Sequence, residues 1–380
     1  MKRNIYLMYA IALLQGMVFY GPVATLYRQA QGISIFQITV IESISFAFCI
    51  LLEIPWGIAA DKIGYRKTLI FCCFLYFFSK IVFWQATDFP GFLTERIMLS
   101  VVLAGFSGVD TSILYLSSKG KDSQKVFGIY NSLQMAGALA AAAVFTLFVK
   151  ENYKLSGLLT VISYGIAALF SLGVTEVKSQ ASGKICIRQF KAVLLETLHN
   201  KNLLLFLLLT AFLTETHQTI TVFLNQMQYE KCGLSNSAIG YLYIAATFIG
   251  TCGFCSARIT KKAGVKSAGI LFCSMYAVCC TILALSKHAL PSVCGIFLLR
   301  FSDTLFQPFR TEIQNQQVHA QYRATALSIH AMIIDSAAIA TNLLYGSFAQ
   351  ARLPLAFSFG IALCAASLIL FFIWHRNMHT

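Results

Sequence analysis

The chain has 380 residues, of which 57% are hydrophobic and only 12% charged, and its mean hydropathy is +0.70. Soluble domains carry roughly 25% charged residues, so a water-soluble globular protein is excluded. The formal net charge of +14 does not mark a nucleic-acid binder, because the basic residues are spread over many short loops instead of one patch or arm.

The N-terminal Met1-Lys2-Arg3 opens an apolar run that continues to about Tyr27 without a small-residue cleavage site, which makes it a first membrane helix and not a signal peptide. Further apolar runs cover about 35 to 60, 68 to 87, 93 to 117, 126 to 149, 155 to 175, 203 to 228, 236 to 258, 267 to 286, 292 to 312, 325 to 349 and 355 to 374. A helix of about 20 apolar residues spans a ~30 Å hydrocarbon core. The pattern therefore predicts an all-α membrane protein with twelve transmembrane helices. Most of the 12 cysteines lie inside these runs as small apolar fillers. Cys252-x-x-Cys255 lacks a second pair or a histidine at zinc spacing, so no metal site is expected.

With the N-terminus inside, the short cytoplasmic segments hold 20 of the 29 lysines and arginines and the outer segments six, Arg28 and Arg352 among them. The positive-inside rule then puts both termini in the cytoplasm of a multi-pass protein of the cell (plasma or inner) membrane. Three cations fall within spans: Lys80, Arg96 and Arg300. Residues 176 to 202 form the one long hydrophilic connection, and Phe190 to Leu198 within it predicts a short amphipathic helix on the inner membrane surface. The expected units are a six-helix bundle over 1 to 175, a cytoplasmic linker over 176 to 202, and a second six-helix bundle over 203 to 380. No glycine loop with a phosphate-binding lysine occurs, which argues against ATP-driven pumping, and no Ser, His or Cys nucleophile constellation supports an enzyme.

The hydrophilic joint after the second run reads Glu53-Ile-Pro-Trp-Gly57-Ile-Ala-Ala-Asp61-Lys62-Ile-Gly64-Tyr-Arg66-Lys67. Gly57 and Asp61 share one helical face, Gly64 permits a tight reversal, and Arg66 and Lys67 sit at the surface. This Gly-x-x-x-Asp-Lys-x-Gly-x-Arg-Lys spacing resembles the loop between helices two and three of the major facilitator superfamily of transporters, and Glu53-Ile-Pro resembles its drug or metabolite exporters. The resemblance implies two six-helix bundles around a central cavity lined by helices one, four, seven and ten, with Asp61 as a gating residue. The joint is echoed some 200 residues later by Lys261-Lys262-Ala-Gly264-Val-Lys266, which keeps the glycine and loses the aspartate; Arg96 is matched to Arg300 at an offset of 204.

Charges inside lipid cost about 2.5 to 3.5 kcal/mol each on insertion scales, so each needs a partner, a water-filled cavity or a function. Arg96 and Asp110 lie fourteen residues apart in helix four, within about 40° of one face. Glu215 stands in helix seven beside a polar stripe of Thr214, Gln218, Thr221 and Asn225. His217 lies about 200° from Glu215 and is expected to be a packing residue. Arg300, Asp303 and Gln307 recur on one face of helix ten, where the arginine and aspartate either neutralise each other or face a substrate. Lys80, Asp335 and His330 are secondary candidates. Glu42 and Glu53 reach the interfaces from the ends of helix two. Tyr20, Phe106 and Phe306 are candidate pocket aromatics.

The expected function is secondary active transport by alternating access, as proton-coupled efflux of small amphipathic or cationic compounds, with Asp110, Glu215 and Asp303 holding the cation or the proton. Uptake or facilitated flux of an anionic metabolite on Arg96 and Arg300 is the alternative. No cofactor beyond a proton gradient is implied. The expected partners are a small-molecule substrate and the lipid bilayer, with no nucleic acid and the protein as a monomer.

Overall fold

The computed structural model describes residues 2–106, 109–118, 123–177, 187–250, 255–317 and 323–378. Those residues form sixteen α-helices joined by short turns: α1 (Lys2–Gly16), α2 (Ala24–Ala30), α3 (Ile35–Ile63), α4 (Tyr65–Gln85), α5 (Phe89–Phe106), α6 (Val109–Ser118), α7 (Ser123–Val144), α8 (Tyr153–Leu172), α9 (Ile187–His199), α10 (Lys201–Gln218), α11 (Asn225–Lys231), α12 (Asn236–Ile249), α13 (Cys255–Leu285), α14 (Ala289–Gln316), α15 (Arg323–Ala351) and α16 (Leu353–Asn377). Among them are eleven stretches long and apolar enough to cross a membrane, together with the shorter apolar helix Asn236–Ile249. In lipid the backbone must satisfy its own hydrogen bonds, and uninterrupted helices do so.

The first predicted span is broken in two. α1 stops at Gly16, a single 3₁₀ turn over Gly21–Val23 carries Pro22, and α2 follows. Proline supplies no backbone N–H and crowds the preceding turn, which is the local cause of the break. The seventh span instead runs from α10 through a wide π-helical segment, Thr219–Leu224, into α11.

The chain forms two compact units. The first holds residues 1–33, 44–184 and 236–244; the second holds 34–43, 185–235 and 245–380. Thus the first turns of α3 pack within the second unit, where the Asn342 amide donates to the Thr39 carbonyl at 3.4 Å and the Ser43 hydroxyl to that of Ile339 at 3.3 Å. The core of the first unit joins Met8 and Ile11 of α1, Leu69 and Cys73 of α4, Ile113 of α6 and Ala168 of α8. There α1 and α7 cross in close contact. A Cβ on Gly16 would meet the Gln134 carbonyl oxygen at 2.1 Å, and one on Gly137 would meet that of Leu13 at 2.1 Å. Small residues allow such approach in membrane bundles. In the second unit the linker helix α9 lays Val193, Phe190 and Leu194 on Ala326, Ile329 and Ile333 of α15.

The two units repeat one architecture, and their register differs from the 204-residue offset read at Arg96 and Arg300. Gly64 and Gly264 both have positive φ, 96° and 78°. Tyr76 and Tyr276 are both in hydrogen-bonding or aromatic networks of their units, α5 and α14 start at Phe89 and Ala289, and α8 and α16 at Tyr153 and Leu353. From α4 and α13 onward the offset is thus 200 residues. Arg96 corresponds to Ile296, and Arg300 to Ser100. The two arginines are not equivalent positions, which corrects the match of Arg96 to Arg300 read from the sequence.

Candidate functional site

Among the described residues, membrane-buried charge forms a cluster in each unit. In the second unit α10, α13 and α14 bring together His217, Tyr276, Arg300 and Asp303. The Tyr276 hydroxyl donates to Asp303 Oδ1 at 2.8 Å, and His217 Nδ1 lies 3.5 Å from Asp303 Oδ2. On the other edge of the imidazole, Nε2 is 3.3 Å from Arg300 Nη1 and 3.3 Å from the Thr221 hydroxyl. With its proton on Nδ1, the ring faces the carboxylate across 3.5 Å and its Nε2 accepts from the guanidinium, while the Thr221 hydroxyl donates to the His217 carbonyl at 2.8 Å. His217 therefore stands between the arginine and the aspartate, which corrects both its expected packing role and the simple Arg300–Asp303 pair. It does point away from Glu215, as its spacing implies.

Glu215 is 3% exposed, accepts the Thr219 hydroxyl at 2.6 Å on Oε1, and has the carboxylates of Glu42 and Asp335 within electrostatic reach. Beside it the Tyr345 hydroxyl donates to that of Thr216 at 2.8 Å. Arg310, counted among the cytoplasmic loop cations, reaches back from α14 to the Thr214 hydroxyl. Gln218 is partly buried and Gln307 exposed. His330 is buried in α15, and Phe306 is a core residue, 1% exposed and edge-on to Tyr276, instead of a pocket wall.

In the first unit the cluster is one of which the sequence singled out only Lys80, as a secondary candidate. The Lys80 ammonium of α4 donates to Glu95 Oε1 of α5 at 3.1 Å, and Arg28 Nη2 of α2 lies 4.0 Å from Glu95 Oε2. Their side chains are 5%, 2% and 7% exposed. Tyrosine faces surround the ammonium, with Tyr76, Tyr164 and Tyr20 centroids at 5.1, 5.6 and 6.0 Å, and Arg28 lies over Phe83 at 5.6 Å. Such contacts stabilise a cation in apolar surroundings. Arg28, expected in an outer loop, is thus inside, and Glu95, not its neighbour Arg96, is the fully buried residue. A usable signal was present: Lys80 and Glu95 are opposite charges nearly equidistant from the turn at Thr87, where an antiparallel helical hairpin brings them level.

Asp110 opens α6. Its Oδ1 accepts the Thr111 amide at 2.6 Å and its Oδ2 the Tyr130 hydroxyl at 3.3 Å. Arg96 is partly buried, and the Ser100 hydroxyl donates to its carbonyl at 3.0 Å. Phe106 packs against the core of this unit.

In the joint, whose first part is the end of α3, Gly57 and the side chains of Asp61 and Lys62 lie outside the described residues. Glu53 is partly buried and Lys67 exposed. Arg66 caps the end of α8 from the joint: Nε donates to the Val174 carbonyl at 2.7 Å and Nη2 to that of Leu172 at 3.4 Å, while its amide donates to Glu176 at 3.2 Å. A cation at the carbonyl end of a helix is favourably placed.

Two repeated bundles of membrane-length helices, each with buried polar clusters, define a multi-pass α-helical membrane transporter fold. The family model of the Major Facilitator Superfamily matches residues 5–342, and the chain belongs to that superfamily. Among solved structures, a mutant form of the nucleoside transporter NupG is similar at TM-score 0.81 and 15% identity over 98% of this chain and 99% of that one. A D-xylose-proton symporter reaches TM-score 0.75 at 14% identity over 98% and 97%, and the human organic anion transporter MFSD10 reaches 0.63 at 14% over 98% and 99%. At these identities the likeness is one of fold. Curated sequences give no match.

Proposed function

We propose that the protein is a proton-coupled secondary transporter of small organic molecules working by alternating access. The observation that carries this reading is Glu215, a carboxylate enclosed in a membrane-length helix whose hydrogen bond comes from the Thr219 hydroxyl and whose charged neighbours include two more carboxylates. An ionisable group inside a membrane helix is costly unless it serves a function, and proton relays are one such use. The chain of Tyr276, Asp303, His217 and Arg300 offers a second place where a proton and a substrate charge compete for the same groups.

Efflux of amphipathic or cationic compounds follows from carboxylates at 110, 215 and 303 and from the resemblance of Glu53-Ile-Pro to exporters. The opposite substrate polarity, an anionic metabolite, is favoured by a different observation: the first unit buries two cations against one carboxylate. Asp61 is assigned the gating role that the loop spacing implies, and the cell membrane with both termini cytoplasmic is the proposed location.

The test is flux into proteoliposomes under an imposed pH gradient. Asp110→Asn and Glu215→Gln are expected to abolish gradient-driven flux while leaving the protein folded. Unchanged flux in both variants overturns proton coupling.

A further inference from the structure

Arg300 in the second unit presents an unused edge. Its side chain makes one hydrogen bond, from Nη1 to His217 Nε2 at 3.3 Å. Nε and Nη2 make none among the described residues, and neither is enclosed. Nε–H and the adjacent Nη2–H are the parallel fork with which an arginine holds both oxygens of a carboxylate. Beside that edge stands Gly250, just past the end of α12 and in the same unit. A Cβ at Gly250 would lie 3.5 Å from Nη2, 3.8 Å from Nε and 4.0 Å from Cζ. Both nitrogens are nearer than the carbon, so the glycine keeps a side chain off the fork.

The bonded edge of Arg300 ends on a group with two states. With the ring of His217 neutral, Nε2 accepts from Arg300. The Thr221 hydroxyl donates its proton to the His217 carbonyl at 2.8 Å, so the oxygen that lies 3.3 Å from Nε2 has a lone pair to offer. Once Nε2 carries a proton it stops accepting from Arg300 and donates to Thr221, while Nδ1–H faces Asp303 Oδ2 at 3.5 Å as half of an ion pair. Partners for both forms of the ring are thus in place. The cost falls on Arg300, which loses its bond and meets a like charge at 3.3 Å. The charged groups within electrostatic reach of His217 are Asp303, Arg300 and Arg310, all on α14. From α13 the Tyr276 hydroxyl acts on it through Asp303, and α15 and α16 meet α10 with the neutral Tyr345 at Thr216 and Ser367 at the Leu209 carbonyl. Two arginines and a charged ring then face one aspartate, and a negative charge on Arg300 offsets the added proton.

We propose that the Nε–Nη2 fork of Arg300 is a carboxylate-binding site, and that His217 acts as a positioning residue that takes up a proton when the site fills. The bound carboxylate replaces the hydrogen bond that Arg300 gives up and supplies the charge that the imidazolium requires. With the fork empty, the neutral ring holds Arg300. Carboxylate and proton therefore bind together here, whereas a cationic cargo competes with the proton. The proposal rests on the anionic-metabolite reading above and names its binding group and its proton.

The experiment is equilibrium binding of radiolabelled acetate, lactate and benzoate to the purified full-length protein in detergent, with no gradient applied, at about pH 6 and about pH 8, where these carboxylates are ionised. Saturable binding of at least one of the three is expected, with no competition by benzamide or tetraethylammonium. It should tighten toward the lower pH by up to about tenfold per pH unit, the limit for one linked proton. Arg300→Lys keeps the charge without the fork and should weaken binding by about tenfold or more. Gly250→Ala sets a methyl group beside the fork at ordinary van der Waals distance, so the protein should fold as before and bind more weakly. His217→Gln should bind without pH dependence. Glu215→Gln should keep that dependence, which separates failure here from failure of proton-driven flux through Glu215. The proposal is overturned by no saturable binding of any of the three, by equal competition from benzamide, or by pH-independent binding to the wild-type protein. PH dependence that survives His217→Gln or vanishes in Glu215→Gln, or unchanged binding in Gly250→Ala, also overturns it. Where His217→Gln does not fold, Glu215→Gln and Gly250→Ala decide the matter.

Discussion

The contact between Lys80 and Glu95 makes the most demanding stability prediction. At 3.1 Å and an effective dielectric constant of about 20, the pair attracts by roughly 5 kcal/mol, and Arg28 at 4.0 Å adds about 4 kcal/mol. Lys80→Met removes the nearer cation and three cation–π contacts but also relieves its repulsion with Arg28, so the loss falls near the lower end of the roughly 3–5 kcal/mol seen on breaking buried pairs. Glu95→Gln leaves two buried cations without their anion and should cost a similar amount. In Lys80→Met with Glu95→Gln the side chains at both positions are neutral, so the double variant should be more stable than the sum of the single losses by about 2 kcal/mol. Unfolding of the four proteins in one detergent at one pH and ionic strength reads this coupling. Additivity within about 0.5 kcal/mol means that the two residues do not interact, and the buried cluster is then wrong.

Other consequences can be checked with the same preparations. Gly16→Ala drives a methyl group against the Gln134 carbonyl and should destabilise by about 1–3 kcal/mol, whereas Gly128→Ala in α7, with nothing within 4 Å, should be neutral or stabilise by up to about 1 kcal/mol; thermal unfolding distinguishes them, and equal shifts contradict the close crossing. Arg66→Lys keeps the charge but cannot hold the Val174 and Leu172 carbonyls together, so thermal unfolding should show a loss of about 1–2 kcal/mol. Tyr276→Phe removes the hydroxyl that donates to Asp303 and should lower transport rate more than it lowers stability, with a loss of about 1.5–3 kcal/mol in the transport barrier; wild-type transport in this variant would remove Asp303 from the working site.

Hydropathy located the membrane helices well, because the bilayer imposes one length on all of them: the second run, expected over 35 to 60, is Ile35–Ile63, and the linker helix expected over Phe190 to Leu198 is Ile187–His199. The break in the first span was legible at Gly21-Pro22 but was overridden by the unbroken apolar run around it. Side-chain partners were less accessible. Helical spacing correctly turned His217 away from Glu215, yet which groups it meets depends on how α10 lies against α13 and α14, and no single-helix periodicity contains that. Glu95 was passed over for Arg96 because the arginine stood out as a cation within a span matched to Arg300, although burial selects the residue one position earlier. The bonds of Arg66 were not legible, because sequence alone does not show that the end of α8 comes beside the loop.

Register decides what the two clusters mean. Measured from its own hairpin turn, each unit carries its charges at a different depth: Lys80 and Glu95 lie seven and eight residues from Thr87, while Arg300 and Asp303 lie thirteen and sixteen from Lys287. At 1.5 Å per helical residue the charges of the second unit sit on the order of 10 Å deeper along the helix. Ser100 occupies the position of Arg300 and bonds to the Ser45 hydroxyl at 2.8 Å, which closes that level of the first unit with neutral groups. Two units that repeat their helices but place their charges at different positions do not offer equivalent groups. They present two chemically different stations: a cationic, tyrosine-lined one in the first unit, and in the second an arginine and an aspartate held apart by a histidine.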